Sequence, residues 1–346
     1  MAGLIINDTQ YAGDVAQYFI LPATFGLNTV TKGCVYVKDG ISKKHTIDKL
    51  NIVRPFQSRK ATPTATSIDG KGMNVTIDAR TLTPEDVMLY CEFNPRLFED
   101  AWLGVAQMKE HPALLARELP FNAESYIVDL AVRRAFEQVE LGMWQGSKDY
   151  TAEEGTDGNG QLKYFDGFLK KMIADSNVKK VASPLPLVAT ASVSQTSTNI
   201  IEAMNSLISL ATANNRALFA DVNRFNKIKF LVSIEDEQIY QSASINITFK
   251  GQVTQSGETQ PWKGYQVIGL AGIPKDTIVF TVATDDYESN LWLGMNSILD
   301  ENLQLARLLP NSELFFIKGL MKFDVQYGYS DKSFLYTTLT AGSFTV

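Results

Sequence analysis

Apolar residues recur at helical spacing over a long stretch in the first half of the sequence. When residues 124–145 are placed at steps of about 100°, one face is apolar and the charged residues fall from its flank round to the far side. The apolar face consists of Val128, Ala131, Val132, Ala135, Phe136, Val139 and Met143. The pattern predicts an amphipathic helix of roughly 33 Å, at about 1.5 Å per residue, that ends at Gly146.

Two further stretches carry helix signals. Residues 198–214 predict a second amphipathic helix, whose apolar face consists of Ile200, Ile201, Met204, Leu207, Ile208 and Ala211. The sequence Thr83-Pro84-Glu85-Asp86 combines a hydroxyl cap, a proline at the first helical position and acids in the first turn. It therefore predicts the start of another helix.

Strand signals are concentrated in the second half of the chain. Ile228–Ile234 is a candidate for a buried strand. Gly264–Ile268 and Thr277–Thr284 predict two more strands, with a turn at Gly272-Ile273-Pro274 between them. Residues 314–329 alternate well enough to form a strand pair or one long strand. Helices and strands together place the chain in the α+β class.

The N-terminal part of the chain predicts extended structure with little core of its own. A short strand is expected over Thr31–Asp39, followed by a turn at Asp39-Gly40 and a second polar, partly alternating segment over His45–Phe56. Gln57–Gly72 is rich in Ser, Thr, Pro and Lys, and Met73–Ala79 is a further candidate strand. Because this arm has few apolar side chains, we expect it to lie against a partner.

Charge is unevenly distributed along the 346 residues. The formal net charge is −6, which disfavours a dedicated nucleic-acid binder because such proteins are usually basic. Residues 1–60 nevertheless carry 8 Lys and Arg residues against 4 Asp and Glu residues, whereas residues 61–150 carry 8 against 14. A basic front followed by an acidic middle predicts complementary surfaces, within one chain or between chains.

The termini and the cysteines bound the cellular setting. Met1–Gln10 contains no basic residue and no apolar run typical of a signal peptide, and no segment of the sequence is long enough to span a membrane. The two cysteines, Cys34 and Cys91, do not make a disulfide framework or a zinc-binding spacing, so we expect two reduced and mostly buried thiols. These features favour synthesis in the cytosol.

Candidate catalytic chemistry is sparse. The two histidines, His45 and His111, have no partners in the sequence that indicate a triad or a metal site. The glycine-rich loop at 153–162 lacks the acid that a calcium loop needs before its first aspartate. Glu137 and Glu140 are three residues apart on the long helix, and a solvated or interface-facing stripe is favoured over an acid/base pair. We therefore expect no catalytic residue, no cofactor and no metal.

The order of these elements resembles the major capsid proteins of tailed bacteriophages, which have the Hong Kong 97-like fold. In the resemblance, residues 123–146 correspond to the long spine helix, which also ends in a glycine turn. The other matching segments are Phe165–Leu169, residues 198–214, Phe230–Ile234, Trp262–Ile268 with Gly272-Ile273-Pro274, and Phe323–Tyr329. The chain departs from the family pattern after the spine helix, where Gly146-Ser147-Lys148-Asp149 replaces a Gly-Asp-Gly-like turn.

The resemblance implies a capsid fold with an extended arm, a peripheral domain built on the long spine helix, and a central axial domain. The implied divisions are an N-terminal arm at 1–27, an extended arm at 28–75, a peripheral domain at 76–185, a central domain at 186–310, and C-terminal strands at 311–346 that return to the peripheral domain.

The resemblance also implies a structural function rather than an enzymatic one. The expected function is self-assembly, as hexamers and pentamers, into an icosahedral phage head that encloses double-stranded DNA without sequence-specific binding. The expected location is the virion, after synthesis in the host cytoplasm, with no membrane and with scaffold, portal and decoration proteins as further partners. Two alternatives stay open: an encapsulin-like shell around a cargo protein, and a carboxylate-dependent hydrolase using Glu137 and Glu140.

The basic arm and the acidic helix stripe are the candidate inter-subunit contacts. The arm residues are Lys43, Lys44, Lys49, Arg54, Arg59 and Lys60, and their expected partners on a neighbouring copy are Asp129, Glu137 and Glu140. A covalent link would need a desolvated lysine whose neutral amine attacks. The arm lysines stand in polar surroundings, so we expect a noncovalent shell.

Overall fold

The computed structural model describes the chain at residues 9–12, 26–53, 59, 74–94, 123–154, 156, 158–190, 196–220, 226–247, 261–296, 302–308 and 314–345. The helices are α1 Asn28–Thr31, α2 Ala123–Gln145, α3 Phe168–Ala174, α4 Ile200–Asn214 and α5 Ile234–Ile247, with short 3-10 turns at Gly158–Leu162, Arg216–Phe219, Ser330–Lys332 and Ala341–Phe344. The mixture confirms the α+β class.

Fifteen strands are assigned in the same residues. They are β1 Thr9–Ala12, β2 Tyr36–Lys38, β3 His45–Val53, β4 Asn74–Leu82, β5 Glu85–Phe93, β6 Lys179–Lys180, β7 Leu187–Val188, β8 Thr198–Asn199, β9 Ile228–Ser233, β10 Gln266–Leu270, β11 Thr277–Val282, β12 Leu291–Met295, β13 Asn302–Arg307, β14 Phe315–Tyr327 and β15 Ser333–Thr337.

A six-stranded sheet is organised around β14, the longest strand. The strand order is β1-β13-β14-β12-β2, and β5 pairs with β14 on its other edge. Residues along β14 alternate between buried and outward-facing positions, as a strand with one face on a core requires. Phe136 of α2 meets Phe323 of β14 edge to face, with ring centroids 5.8 Å apart. The inner face of this sheet therefore packs against the long helix.

A five-stranded sheet with the order β10-β9-β11-β15-β6 is covered on both faces. All six residues of β11 and all five of β15 are buried. On one face, Phe230 and Phe280 stack at 4.4 Å in a core that includes the buried sides of α4 and α5. On the other face, Leu231 and Val279 belong to the core of α2 and the six-stranded sheet. The sheet thus forms a wall between two hydrophobic cores.

The extended arm begins as a two-stranded hairpin. Strand β3 pairs antiparallel with β4 in register from His45 opposite Leu82 to Val53 opposite Asn74. The hairpin meets the body through a small separate cluster formed by the buried residues Ile41, Ile47, Leu82 and Trp292, with Tyr36 beside it. Because this cluster lies at the root of the hairpin, the arm is fixed at its base.

The long helix α2 confirms the predicted apolar face. Val128, Val132, Phe136 and Met143 are buried, as is Val139, and the two alanines of the face are half-buried. The helix ends where the backbone becomes crowded: a Cβ on Gly146 would lie 2.5 Å from the carbonyl oxygens of both Gly142 and Phe165. Only glycine fits at this position, and the chain turns there into α3.

One predicted helix start is wrong. Residues 85–93 form β5, which pairs with β14 over nine residues, from Glu85 opposite Phe323 to Phe93 opposite Phe315. Val87 and Leu89 pack inward against the core, while Asp86, Met88 and Tyr90 point outward. This two-residue periodicity and the pairing with a long neighbour outweigh the helix-cap signal at Thr83.

Other boundaries differ in detail. The predicted strand at 31–39 is the short helix α1 followed by β2, and residues 314–329 form one strand rather than a pair. Ile208 of α4 is half-buried, whereas Ile201 and Met204 are buried as expected. The predicted domain limits at 310 and 311 do not follow the sheets, because β12 and β13 join β14, while β15 joins the five-stranded sheet. Residues 54–58 and 60–73 of the arm lie outside the described residues.

Replacing Gly272 with alanine tests the close packing between α2 and the five-stranded sheet. A Cβ there would lie 2.4 Å from Trp144 Cδ1 and 2.5 Å from the backbone oxygen of Glu140, and the backbone has no room to yield. We expect the free energy of unfolding, measured with urea, to fall by about 1–3 kcal/mol.

The matched control is Gly328→Ala, because the nearest atom to a Cβ there is 3.5 Å away, an ordinary contact. We expect this variant to stay within about 0.5 kcal/mol of the wild type. If both variants unfold together with the wild type, the junction is looser than the structure indicates.

Candidate functional site

The basic residues of the arm lie on its surface where they are described. Lys43 and Lys44 are exposed just before β3, and neither forms an ion pair within the described part of the chain. Lys49 stands in β3 opposite Asp78, and Arg59 is exposed. Arg54 and Lys60 lie outside the described residues. Lys43, Lys44 and Arg59 therefore present positive charge on the described part of the arm, and the contact of the arm with a neighbouring copy stays a prediction.

The structure does not bring the three acids of α2 together on one surface. Asp129 is paired with Arg133 at 3.0 Å, and Glu137 is exposed and paired with Arg134. Glu140, in contrast, is only 5% exposed, so the prediction that it belongs to a solvated stripe is wrong. Its position borders the apolar face of the helix, and residues 27–34 of the chain cover it. Helical periodicity alone cannot show such a covering segment.

Glu140 holds one residue of the covering segment through several hydrogen bonds. The backbone N–H of Thr29 donates to both carboxylate oxygens of Glu140, at 3.2 Å each, and the Thr29 hydroxyl donates to Oε1. One helical turn further on, Trp144 Nε1 donates to the same hydroxyl at 3.0 Å. The Thr29 hydroxyl thus donates and accepts at once, and Thr29 is completely buried.

Burial and nearby charge set the electrostatics of this site. Burial raises the pKa of Glu140, and the Thr29 hydrogen bonds and the charge of Lys32 offset only part of this effect. Lys32 Nζ donates to the carbonyl oxygen of Gly269 at 2.5 Å. Burial also raises the pKa of Cys34 to about 11, although the Lys229 and Lys32 charges act in the opposite direction. The site is a buried polar contact between three parts of the fold.

The root of the arm contains a second polar network. Arg80 of β4 forms an ion pair with Asp175, which follows α3, and its guanidinium lies 4.1 Å from the centre of the Tyr327 ring. The Tyr327 hydroxyl donates to Asp175 at 2.7 Å. Nearby, the backbone N–H of Thr83 donates to Asp324 at 2.7 Å. These contacts tie β4, the returning strand of the arm, to α3 and β14.

An apolar patch lies on the outer face of the six-stranded sheet. Met88, Tyr90 and Leu320 are 53%, 45% and 43% exposed, and Tyr90 stacks on Phe316 with ring centroids 6.0 Å apart. Cys91 on the same strand is exposed, which corrects the expectation that both thiols are mostly buried; Cys34 is buried. Sequence reasoning missed this patch because the stretch was interpreted as a helix.

The arrangement gives no support to carboxylate catalysis. Glu137 stands on the surface with Arg134, whereas Glu140 is buried against Thr29, so the two do not share a cleft. In the described ranges, no group of three or more His, Cys, Asp or Glu residues could hold a metal ion. His45 stacks against Trp292 at 6.1 Å, and His111 lies outside the described residues.

Among the described residues, no helix is both long enough and apolar enough to cross a membrane.

Comparison with solved structures identifies the fold. The chain matches a subunit of the satellite phage P4 procapsid, which includes the size determination protein, with a TM-score of 0.59 and 10% identity over 96% of this chain and 92% of that chain. It matches the capsid of the empty GTA particle with a TM-score of 0.51 and 13% identity over 91% and 97%. It also matches the SrpI encapsulin of Synechococcus elongatus with a TM-score of 0.50 and 8% identity over 89% and 86%.

No family model and no curated protein matches the sequence. The structural matches extend over most of the chain and are mostly phage capsid proteins, so the chain has the Hong Kong 97-like fold of capsid shells. At identities near one residue in ten, the likeness is one of fold. The expected Hong Kong 97-like fold is thereby confirmed, whereas its division into a peripheral domain with a spine helix and an axial domain stays a prediction.

The Arg80–Asp175 pair makes the free energy of unfolding depend on pH. Burial alone would raise the pKa of Asp175, but the hydrogen bonds from Arg80, Asn177 N and Tyr327 lower it below its ordinary value. The pair therefore stabilises the fold above the ordinary aspartate pKa of about 3.9, and this stability is lost as the pH falls through the lowered pKa. We expect Asp175→Asn to lower the free energy of unfolding at pH 7 by about 2 kcal/mol and to flatten its dependence on pH below about 4.

Urea unfolding of the unassembled chain between pH 3 and pH 7 measures both effects. Asp286→Asn is the control, because Asp286 is an exposed partner of Lys227 and should contribute little. Parallel stability curves for wild type and Asp175→Asn would show that the pair does not anchor the arm.

Proposed function

We propose that this protein is the major capsid protein of a tailed phage and assembles with copies of itself into an icosahedral shell. The observation that carries the proposal is the combination of the Hong Kong 97-like fold with a basic hairpin that projects from it. In the described residues, the hairpin contacts the body of its own chain at the root, where Ile47 and Leu82 pack with Trp292. A polar extension without its own core gains stability by lying on a neighbour, and repeated contacts of this heterologous kind build closed assemblies.

In this proposal, the parts of the chain take the roles that such a shell needs. Helix α2 is the spine of a peripheral domain that also contains the six-stranded sheet. The five-stranded sheet with α4 and α5 is the axial domain, where subunits of a hexamer or pentamer meet. The domain limits expected from the sequence are revised in this proposal. Strands β12 and β13 are assigned to the peripheral domain and β15 to the axial domain, because each strand is assigned with the sheet to which it is hydrogen-bonded.

The acidic surface that receives the arm is proposed to be the outer side of α2. Asp129 and Glu137 remain candidates, whereas Glu140 is excluded by its burial. Both candidates already have an arginine partner on their own helix, so an arm lysine would have to join or replace it. Exposed pairs of this kind are worth about 0–1 kcal/mol each, so only the whole set of arm charges determines binding.

The proposed content of the shell is double-stranded DNA, held without sequence-specific contacts. A net charge of −6 suits a wall that does not adhere to its content. An encapsulin-like compartment, which would hold a protein instead, shares the fold and is the second candidate. Scaffold, portal and decoration proteins are the further partners that a phage head of this kind would use.

Electron microscopy of the purified protein tests the proposal directly. We expect closed shells of uniform size when concentrated protein is examined over a range of salt concentrations, with and without a crowding agent. Particles formed during infection should contain DNA that is protected from nuclease, and on a denaturing gel they should give one band at 38.4 kDa. Particles filled with a protein cargo would favour the encapsulin-like alternative, and a strictly monomeric protein under every condition would refute assembly.

Charge reversal in the arm tests its role in assembly. We expect Lys43→Glu, Lys44→Glu and Arg59→Glu together to block shell formation, because the arm would repel an acidic neighbour. Thermal unfolding of the unassembled chain should stay nearly unchanged, since these side chains are exposed.

The matched control reverses three exposed lysines elsewhere, Lys179, Lys263 and Lys275, which lie outside the arm. Shells that form normally with the reversed arm, or that fail equally with the control, would exclude an arm-specific contact. A collapse of the unfolding temperature would show instead that the arm belongs to its own chain's core.

A further inference from the structure

A short segment that precedes the hairpin of the arm packs on α2. Residues 27–34, named here the strap, contain α1 and bring Thr29 against Glu140 and Trp144 of that helix. Strand β2 follows the strap and pairs with β12 of the six-stranded sheet, and the hairpin of β3 and β4 comes next.

The strap is shaped as one closed turn. Helix α1 is only four residues long and ends at Thr31, and Gly33 just beyond it has a φ of +59°, a value that favours glycine. The N–H of Cys34 donates to the carbonyl oxygen of Thr29 at 3.1 Å, and the N–H of Gly33 donates to Val30 at 2.9 Å. This pair of bonds is the Schellman arrangement, which satisfies the free carbonyls at the helix end. The strap can therefore keep its own hydrogen bonds when it leaves the surface below it.

Both apolar and polar contacts hold the strap to the rest of the molecule: Leu27, Val30 and Cys34 pack in the core around α2. The Thr29 hydroxyl donates to Glu140 and accepts from Trp144, two residues one turn apart on α2. Lys32 reaches the carbonyl oxygen of Gly269 on β10, and Lys229 on β9 donates to the carbonyl oxygen of Gly33 at 3.1 Å. The strap thus joins the long helix to both strands at one edge of the five-stranded sheet.

Thr29 is the residue through which the strap is hydrogen-bonded to α2. Its hydroxyl accepts from Trp144 and donates to Glu140, and only a hydroxyl side chain of this size does both. Valine has the same shape but would leave a buried carboxylate and a buried indole N–H without that partner. Unsatisfied buried groups of this kind strongly disfavour the docked state.

We propose that residues 27–34 dock on α2 and detach from it as a unit, and that the hydrogen bonds of Thr29 hold the docked state. We further propose that docking fixes the direction in which the arm leaves the body. Detachment is a local opening, because the strands of both sheets and the core around α4 keep their contacts. Thr29, Glu140 and Trp144 are positioning residues for the arm. The local opening does not depend on the proposed shell function, whereas the consequence for the arm rests on it.

Cys34 is a built-in probe of this opening. It belongs to the strap, is completely buried, and has a pKa of about 11, so it reacts slowly with a thiol reagent while the strap is docked. In a Cys91→Ser background, the rate of reaction with an aromatic disulfide reagent reports detachment of the strap. We expect Thr29→Val to accelerate labelling by about tenfold or more, which corresponds to about 1.4 kcal/mol in the opening equilibrium. Thr29→Ser should stay close to the wild-type rate, because it keeps the hydroxyl.

Two further variants keep the test decisive. Lys32→Met removes the bond to Gly269 but leaves Thr29 intact, and it should accelerate labelling less than Thr29→Val does. Ile201→Val removes a methylene from the other core, around α4, and should leave the labelling rate unchanged. Global stability of each variant is measured with urea in parallel, so that local opening is separated from complete unfolding.

The proposal that the strap detaches locally would be refuted if Thr29→Val labels at the wild-type rate. It would also be refuted if the labelling rates follow global stability in every variant. The measurement uses the unassembled chain, so it can succeed if no shell ever forms. Conversely, normal shells from a Thr29→Val protein whose Cys34 labels rapidly would retain the local opening and overturn its role in directing the arm.

Discussion

The fold depends on one sheet that is buried on both faces. Residues of β9, β11 and β15 point alternately into two different cores, so the same strands are in contact with α2 on one side and with α4 and α5 on the other. Phe280 and Val279 are neighbours in sequence but belong to different cores. Because both cores are closely packed, neither layer of helices can slide without disturbing the other. The sheet therefore fixes where the long helix α2 lies relative to α4 and α5.

This constraint has its tightest point at the C-terminal end of the long helix. Gly272 lies against the backbone of Glu140 and the ring of Trp144, and a Cβ on Gly167 would lie 2.8 Å from the carbonyl oxygens of Gly142 and Trp144. Backbone in direct contact with backbone leaves no soft side chain to absorb movement. The last turns of α2 are accordingly a rigid platform, and Glu140 and Trp144 on it offer fixed positions to whatever lies over them.

The sequence predicts the two long amphipathic helices α2 and α4 and several buried strands, because these elements have regular apolar periods. The apolar face of α2 and the strands at 228–233 and 277–282 follow directly from spacing. Two features could not be predicted in this way. The stretch at 85–93 carries a helix-cap signal, and its pairing with β14, more than 200 residues away, decides its structure. Glutamate is a residue type that usually lies on the surface, and the burial of Glu140 depends on a segment more than a hundred residues earlier in the chain.

For the candidate contact residues too, the sequence predicts what depends on neighbouring residues and does not predict what depends on distant ones. Exposure of Lys43, Lys44 and Glu137 follows from local polarity, but their partners on another copy do not. Asp129 and Glu137 are held by arginines of their own helix in exposed pairs, and such pairs contribute little free energy. In the proposed shell, a lysine from a neighbouring copy would exchange with either arginine at almost no cost, so each contact would be weak and reversible. Such contacts would let a misplaced subunit leave, while their number would hold a completed shell, and selectivity would then have to come from the direction in which the arm is presented. In the same proposal, that direction is set inside the subunit, at the root of the hairpin by Arg80 and Trp292 and before the hairpin by the hydrogen bonds to Thr29.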